Sequence, residues 1–187
     1  MIEIASRQHL VTRLDDARYH GGARAIEDIW YLIAHATGGA HPFAISQEWQ
    51  NRDLDPEEKK GPKGKTSYHY GIDRDGSITR ATPINIIAYS NGDSGWPAKQ
   101  WKLGGNKSSL NPRAIGIAWA NDDAGEQLTD EQITSGLWLF STLMQQIKGS
   151  PSRVLGHFEI SPGRKVDPRP AVSMREFRQQ LAEVRLT

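Results

Sequence analysis

The feature that most constrains this chain is an uninterrupted apolar run, Ile29-Trp30-Tyr31-Leu32-Ile33-Ala34, which stops at His35-Ala36-Thr37-Gly38-Gly39. A strand with one face in water alternates apolar and polar side chains. A run that is apolar at every position needs cover on both faces, which reads as a central strand of a sheet packed between layers. The C-terminal end of such a strand is where open α/β sheets gather their ligand sites, and His35 falls there.

Other elements can be read around it. Residues 67–73 and 77–81 flank Asp73-Arg74-Asp75-Gly76, whose Asp-Gly pair signals a hairpin turn. Residues 84–88, 114–120 and 154–156 are further strand candidates, the last leading into His157. Thr129-Asp130-Glu131-Gln132 is a capping box. Behind it Ile133, Leu137, Phe140, Leu143, Met144 and Ile147 recur at helical spacing until Gly149 and Pro151 stop the run. A second box, Ser173 to Glu176, opens a helix over about 173–185 with Met174, Phe177, Leu181 and Val184 on one face. A weaker helix is expected over 43–51, an exposed loop over 53–65, and a polar loop with aromatic anchors over 91–112. The expected fold class is α/β: one domain spanning 1–187, with a central mixed β-sheet flanked by helices.

Composition removes several function classes. There are 23 Lys and Arg against 22 Asp and Glu among 187 residues, so no broad basic face offers itself to nucleic acid. The apolar stretches near 29–36 and 137–144 fall well short of the ~20 residues that span a bilayer. The first 25 residues carry Arg7, Arg13, Asp15, Asp16 and Arg18 and no apolar export segment, so synthesis in the cytoplasm without a cleaved signal is expected. With no Cys there are no disulfides, no thiolate nucleophile and no Cys-ligated metal; a metal site has to be made from His, Asp and Glu.

One stretch carries such chemistry: His157-Phe-Glu-Ile-Ser-Pro-Gly-Arg-Lys165-Val-Asp167-Pro168. If the chain is extended after its Pro-Gly turn, Lys165 and Asp167 point to the same side. A return over the strand end then brings Asp167 to a metal shared with His157, and His35 adds a third ligand, leaving a position open for water as catalytic zinc sites do. Taken singly, each of these residues reads first as a packed histidine or a surface ion pair.

As an ordered set they are more specific. The segment Ile-Trp-Tyr-Leu-Ile-Ala-His35-Ala-Thr, then Ser-Tyr68-His69-Tyr-Gly-Ile-Asp-Arg-Asp-Gly76, Asn111-Pro-Arg-Ala-Ile-Gly116-Ile, and Gly156-His157 through Asp167-Pro168 together resemble the zinc-dependent N-acetylmuramoyl-L-alanine amidase family. That family includes phage endolysins, cell-wall recycling amidases and peptidoglycan recognition proteins. The resemblance covers about residues 26–170. It implies a Zn2+ ion on His35, His157 and Asp167 and hydrolysis of the amide between N-acetylmuramic acid and L-alanine in peptidoglycan. It also implies Lys165 as oxyanion stabiliser. Where recycling-type members carry a Glu acting on water, this chain has Ala118. Either Tyr68, which matches the tyrosine of other branches, takes the proton-transfer part, or Ala118 marks an exchanged Glu or a binder without turnover.

His69 follows Tyr68 and faces the other way on a strand, which makes it structural. Asn91, Trp96 and Trp101 are candidate substrate contacts, the two Trp standing in a polar loop, while Trp119 reads as core. The expected partner is peptidoglycan or a muropeptide, met by a monomer in the cell wall or periplasm as an endolysin. The alternatives are a non-catalytic peptidoglycan binder and a cytoplasmic amidase recycling anhydro-muropeptides.

Overall fold

The computed structural model describes residues 1–4, 11–13, 20–39, 42–43, 66–95, 109–121 and 126–187. In chain order these form β1 (Ile2–Ile4), β2 (Val11–Arg13), β3 (His20–Ala23), β4 (Tyr31–Ala36), β5 (Tyr70–Ile72), β6 (Ile78–Arg80), β7 (Ile86–Ala88) and β8 (Ala114–Trp119). Helix α1 (Asp130–Gln146), β9 (Val154–Gly156), the one-turn α2 (His157–Ile160), α3 (Met174–Glu183) and β10 (Val184–Leu186) follow. A six-stranded mixed sheet in the order β2-β6-β5-β8-β4-β9 dominates, with β3–β7 and β1–β10 as separate pairs.

The apolar run forms β4, which pairs in parallel with β8 on one side and β9 on the other. Side chains alternate across the sheet. Leu32 and Ala34 of β4, Ile115, Ile117 and Trp119 of β8, and Tyr70 and Ile72 of β5 all join one large core. The helices α1 and α3 cover that face: Trp119 stacks on Phe140 with centroids 5.5 Å apart, and Phe177 meets both rings edge-on. The opposite face carries Ile33, Ala114 and Leu155 in a smaller cluster, and His35 and Ala118 further along. Period two thus sends His35 away from the helices, to the face where the strand ends open.

Local chemistry explains the helix ends. Thr129 Oγ1 accepts from the Gln132 N–H at 3.1 Å and Gln132 Oε1 accepts from the Thr129 N–H at 3.2 Å, so both halves of the box form. Gln132, fully buried, also donates to the carbonyls of Ile72 and Ala120, tying α1 to the ends of β5 and β8. Ser173 caps α3 by accepting from the Glu176 N–H at 3.4 Å.

Two expectations need correction. Helix α3 ends at Glu183, and Val184 starts β10 because residues 2–4 offer it a parallel partner across the whole chain. After β9 the chain turns directly into α2. The segment past Ser161 is a series of turns, with the N–H groups of Arg164 and Lys165 both donating to the Ser161 carbonyl. The extended geometry expected to align Lys165 with Asp167 is absent, and Lys165 is exposed while Asp167 is buried. The helix expected over 43–51 lies, but for buried Phe43, outside the described residues, as does nearly all of the 53–65 loop.

Candidate active site

Three elements bring three side chains together. His35 ends β4 on the open face. His157 is the first residue of α2, directly after β9, the neighbour of β4. Glu159 fixes that helix start by accepting from the Gly156 N–H at 2.7 Å, and Arg178 of α3 clamps Glu159 with N–O distances of 3.0–3.2 Å. Asp167 is held by main chain, since its carbonyl accepts from the Phe158 N–H at 3.0 Å.

The donor atoms converge. His35 Nδ1 and His157 Nδ1 are 3.0 Å apart, and Asp167 Oδ2 lies 3.0 Å from His157 Nδ1 and 3.3 Å from His35 Nδ1. All three residues are at most 5% exposed. Proton accounting then tests whether a cation fits. The Asn91 carbonyl, which can only accept, is 3.1 Å from His157 Nε2, closer than the donating Arg164 Nη2 at 3.4 Å, and so favours the proton on Nε2. His35 Nε2 likewise meets Asn91 Oδ1 at 3.2 Å. Both Nδ1 lone pairs and the carboxylate therefore face one another with no donor among them. A divalent cation satisfies all three, and two imidazoles with one carboxylate form a borderline N/O set of the kind zinc takes.

Electrostatics agree with neutral imidazole opposite an ionised carboxylate. Burial, then the adjacent His157, pushes His35 down to about 4. Burial alone would raise Asp167, but the two histidines beside it outweigh burial and hold the carboxyl well below the usual range.

Tyr68 stands over this group, 8% exposed, its ring centroid 5.2 Å from that of His35. Ala118 is the in-register neighbour of His35 and packs with Phe43, Tyr68 and Ala81. On the other side of Ala118 is Gly71, where a Cβ would overlap the Phe43 ring, so Phe43 fills the flank beside Ala118. His69 is bonded to other partners than this group. Its Nδ1 accepts from the Gly116 N–H at 3.0 Å, while Nε2 lies near the Ile86 carbonyl and Arg24. Trp119 is fully buried core. Trp96 and Trp101 lie outside the described residues. Asn91 is only 1% exposed, lodged against both histidines rather than on a groove wall.

Sequence reasoning overlooked Arg164. Its Nη2 donates to the carbonyls of Asn91 (2.8 Å) and Asp93 (2.7 Å) and to Ser161 Oγ (2.7 Å), so it is the cation found beside His157. Position next to Lys165 was the one available hint; which of two adjacent exposed cations reaches His157 is decided by the turn at Ser161.

The model of the N-acetylmuramoyl-L-alanine amidase family matches residues 26–170, the span holding every residue just described. The chain belongs to that family. It is 31% identical over 105 residues to the 1,6-anhydro-N-acetylmuramyl-L-alanine amidase AmpD of Haemophilus influenzae, a match covering 56% of this chain and 52% of that protein. The chain thus spans about half the length of this curated relative. Among solved structures, an AmpD selenomethionine derivative superposes with a TM-score of 0.71 at 22% identity, covering 90% of this chain and 93% of the other. The Escherichia coli amidase AmiD, in complex with anhydro-N-acetylmuramic acid-L-Ala-D-gamma-Glu-L-Lys, gives 0.64 at 22% identity over 87% of this chain and 60% of the other. The N-acetylmuramoyl-L-alanine amidase LysC from Clostridium intestinale gives 0.59 at 21% identity over 94% of this chain and 99% of the other. These likenesses establish a shared amidase-family fold.

Proposed function

We propose that this protein is a zinc-dependent amidase that hydrolyses the bond between the lactyl group of N-acetylmuramic acid and L-alanine in peptidoglycan, acting on the cell wall as an endolysin does. The observation that carries the reading is the meeting of His35 Nδ1, His157 Nδ1 and Asp167 Oδ2, three buried atoms able to hold a metal ion and within 3.3 Å of one another. Those residues would hold zinc, which when bound polarises a carbonyl and makes water nucleophilic near neutral pH.

The remaining roles fall to this chain's side chains. Water adds to the amide carbon, the C–N bond breaks, and the L-alanine nitrogen leaves after gaining a proton. Tyr68 is the group assigned to move that proton, supported by its position against His35. Lys165, exposed on the turn before Asp167, is assigned to stabilise the charge developing on the carbonyl oxygen. Trp96 and Trp101 are assigned to the substrate groove.

A second reading is favoured by Ala118, which supplies no acid or base: a peptidoglycan-binding protein without turnover. One experiment separates them. Zinc-loaded protein is incubated with purified sacculi and with soluble anhydro-muropeptides, and newly exposed L-alanine amino termini are quantified. Release from sacculi supports the endolysin-like reading; release from the soluble fragments alone reassigns the protein to recycling. Binding with no new termini selects the non-catalytic reading.

A further inference from the structure

Asn91 occupies a position that substrate contact does not explain. It is 1% exposed, yet it reaches both histidines from behind, through two different oxygens. Its side-chain Oδ1 accepts from His35 Nε2–H at 3.2 Å, and its main-chain carbonyl accepts from His157 Nε2–H at 3.1 Å. Neighbours fix each oxygen in turn. Ser90 Oγ donates to Oδ1 at 3.3 Å, and Ser90 itself sits against Gly116, where a Cβ would overlap its hydroxyl. Arg164 Nη2 donates to the Asn91 carbonyl at 2.8 Å, and Asn111 Oδ1 accepts from the Asn91 N–H at 2.9 Å. Asn91 Nδ2, by contrast, is buried with no partner among the described residues.

We infer that Asn91 is a positioning residue that sets the tautomer and ring orientation of both His35 and His157, presenting each Nδ1 as a bare lone pair to a metal ion. The physical reason is that a neutral imidazole carries one proton, so an acceptor at Nε2 leaves Nδ1 free to ligate. Acceptors behind ligating histidines typically change metal affinity 10–100-fold when removed. This inference rests on the metal-site reading above.

The test measures zinc affinity by chelator competition in four chains. Wild type should bind one equivalent. Asn91→Ala and Asn91→Leu should each weaken binding roughly 10–100-fold, whereas Asn91→Asp, which keeps an acceptor on His35 and removes the unpartnered nitrogen, should stay within about threefold. A packing role predicts the reverse order, with Leu tolerated and the buried charge of Asp harmful. A second measurement needs no variant: in zinc-loaded wild type, nitrogen-15 spectra should show slowly exchanging Nε2–H signals for both histidines. Fast-exchanging Nε2–H signals, or Leu binding as well as wild type, overturns the inference while leaving the metal site standing. A wild type that binds no zinc overturns the site reading itself, and this inference with it.

Discussion

Acidification should destabilise this protein through a histidine outside the His35, His157 and Asp167 group. His69 is fully buried, and its Nδ1 already accepts the Gly116 N–H, so a second ring proton has to break a bond to β8. It would also place a cation 2.8 Å from the Arg24 guanidinium. Burial first, and Arg24 second, push His69 down to about 3, whereas an unfolded chain has a value near 6.5. Below pH 6.5 the unfolded state therefore binds a proton that the native state refuses. The stabilisation is complete above about pH 6.5 and is lost progressively as pH falls toward 3. At pH 5 the gap is about 1.5 pH units, or about 2 kcal/mol at 1.36 kcal/mol per unit. This figure is insensitive to the folded value so long as that value lies below about 4. Urea unfolding at pH 7 and pH 5, in chelator, on wild type and on His69→Gln reads the effect. His35 titrates in both chains and cancels in the comparison. Wild type should lose about 2 kcal/mol more than the variant, close to 1 M in urea midpoint for a slope of about 2 kcal/mol per M. Parallel losses in the two chains would refute the reasoning, because they would mean that the cluster around His69 accommodates its charge.

Asp167→Ala should lose both bound zinc and amide hydrolysis, measured by metal analysis and release of L-alanine termini. Lys165→Ala should keep one zinc and lose turnover by 10²-fold or more, the scale of a missing oxyanion donor; activity retained at full zinc content would remove Lys165 from its role. Ala118→Glu places a carboxylate beside the fully buried Phe43 and should destabilise the fold by about 2–4 kcal/mol in thermal or urea melts. It should bring no gain in activity, and a rise of orders of magnitude at equal zinc content would show that Tyr68 does not suffice. Trp119→Ala, which empties the space between Phe140 and Phe177, should cost about 3–5 kcal/mol in denaturant unfolding and leave zinc stoichiometry at one.

Much of the fold could be read because its signals are local. The all-apolar run of β4, the Asp-Gly turn between β5 and β6, and the Thr129 box each depend on neighbours a few residues away. The edge strands β1, β2, β3 and β10 had no such signal: three or four residues long, they exist because a distant segment supplies hydrogen bonds, as residues 2–4 do for 184–186. The His35, His157 and Asp167 group was readable as residue types in order, but its supports were not. Asn91 contributes a main-chain carbonyl, which every residue owns, and Arg164 was indistinguishable from its neighbour until the chain turned.

What the sequence by itself determined was the covered central strand, the capped helices and a chain without thiols whose histidines and carboxylates alone could meet a metal. Periodicity and capping are properties of short stretches, so they survive without coordinates. Only the tertiary structure decided that Lys165 faces out while Asp167 faces in, that Phe43 occupies the flank of Ala118, and that one asparagine backs both histidines. Those outcomes depend on which segments stack after folding, where His35 meets Asn91 across 56 positions of chain and His157 across 122.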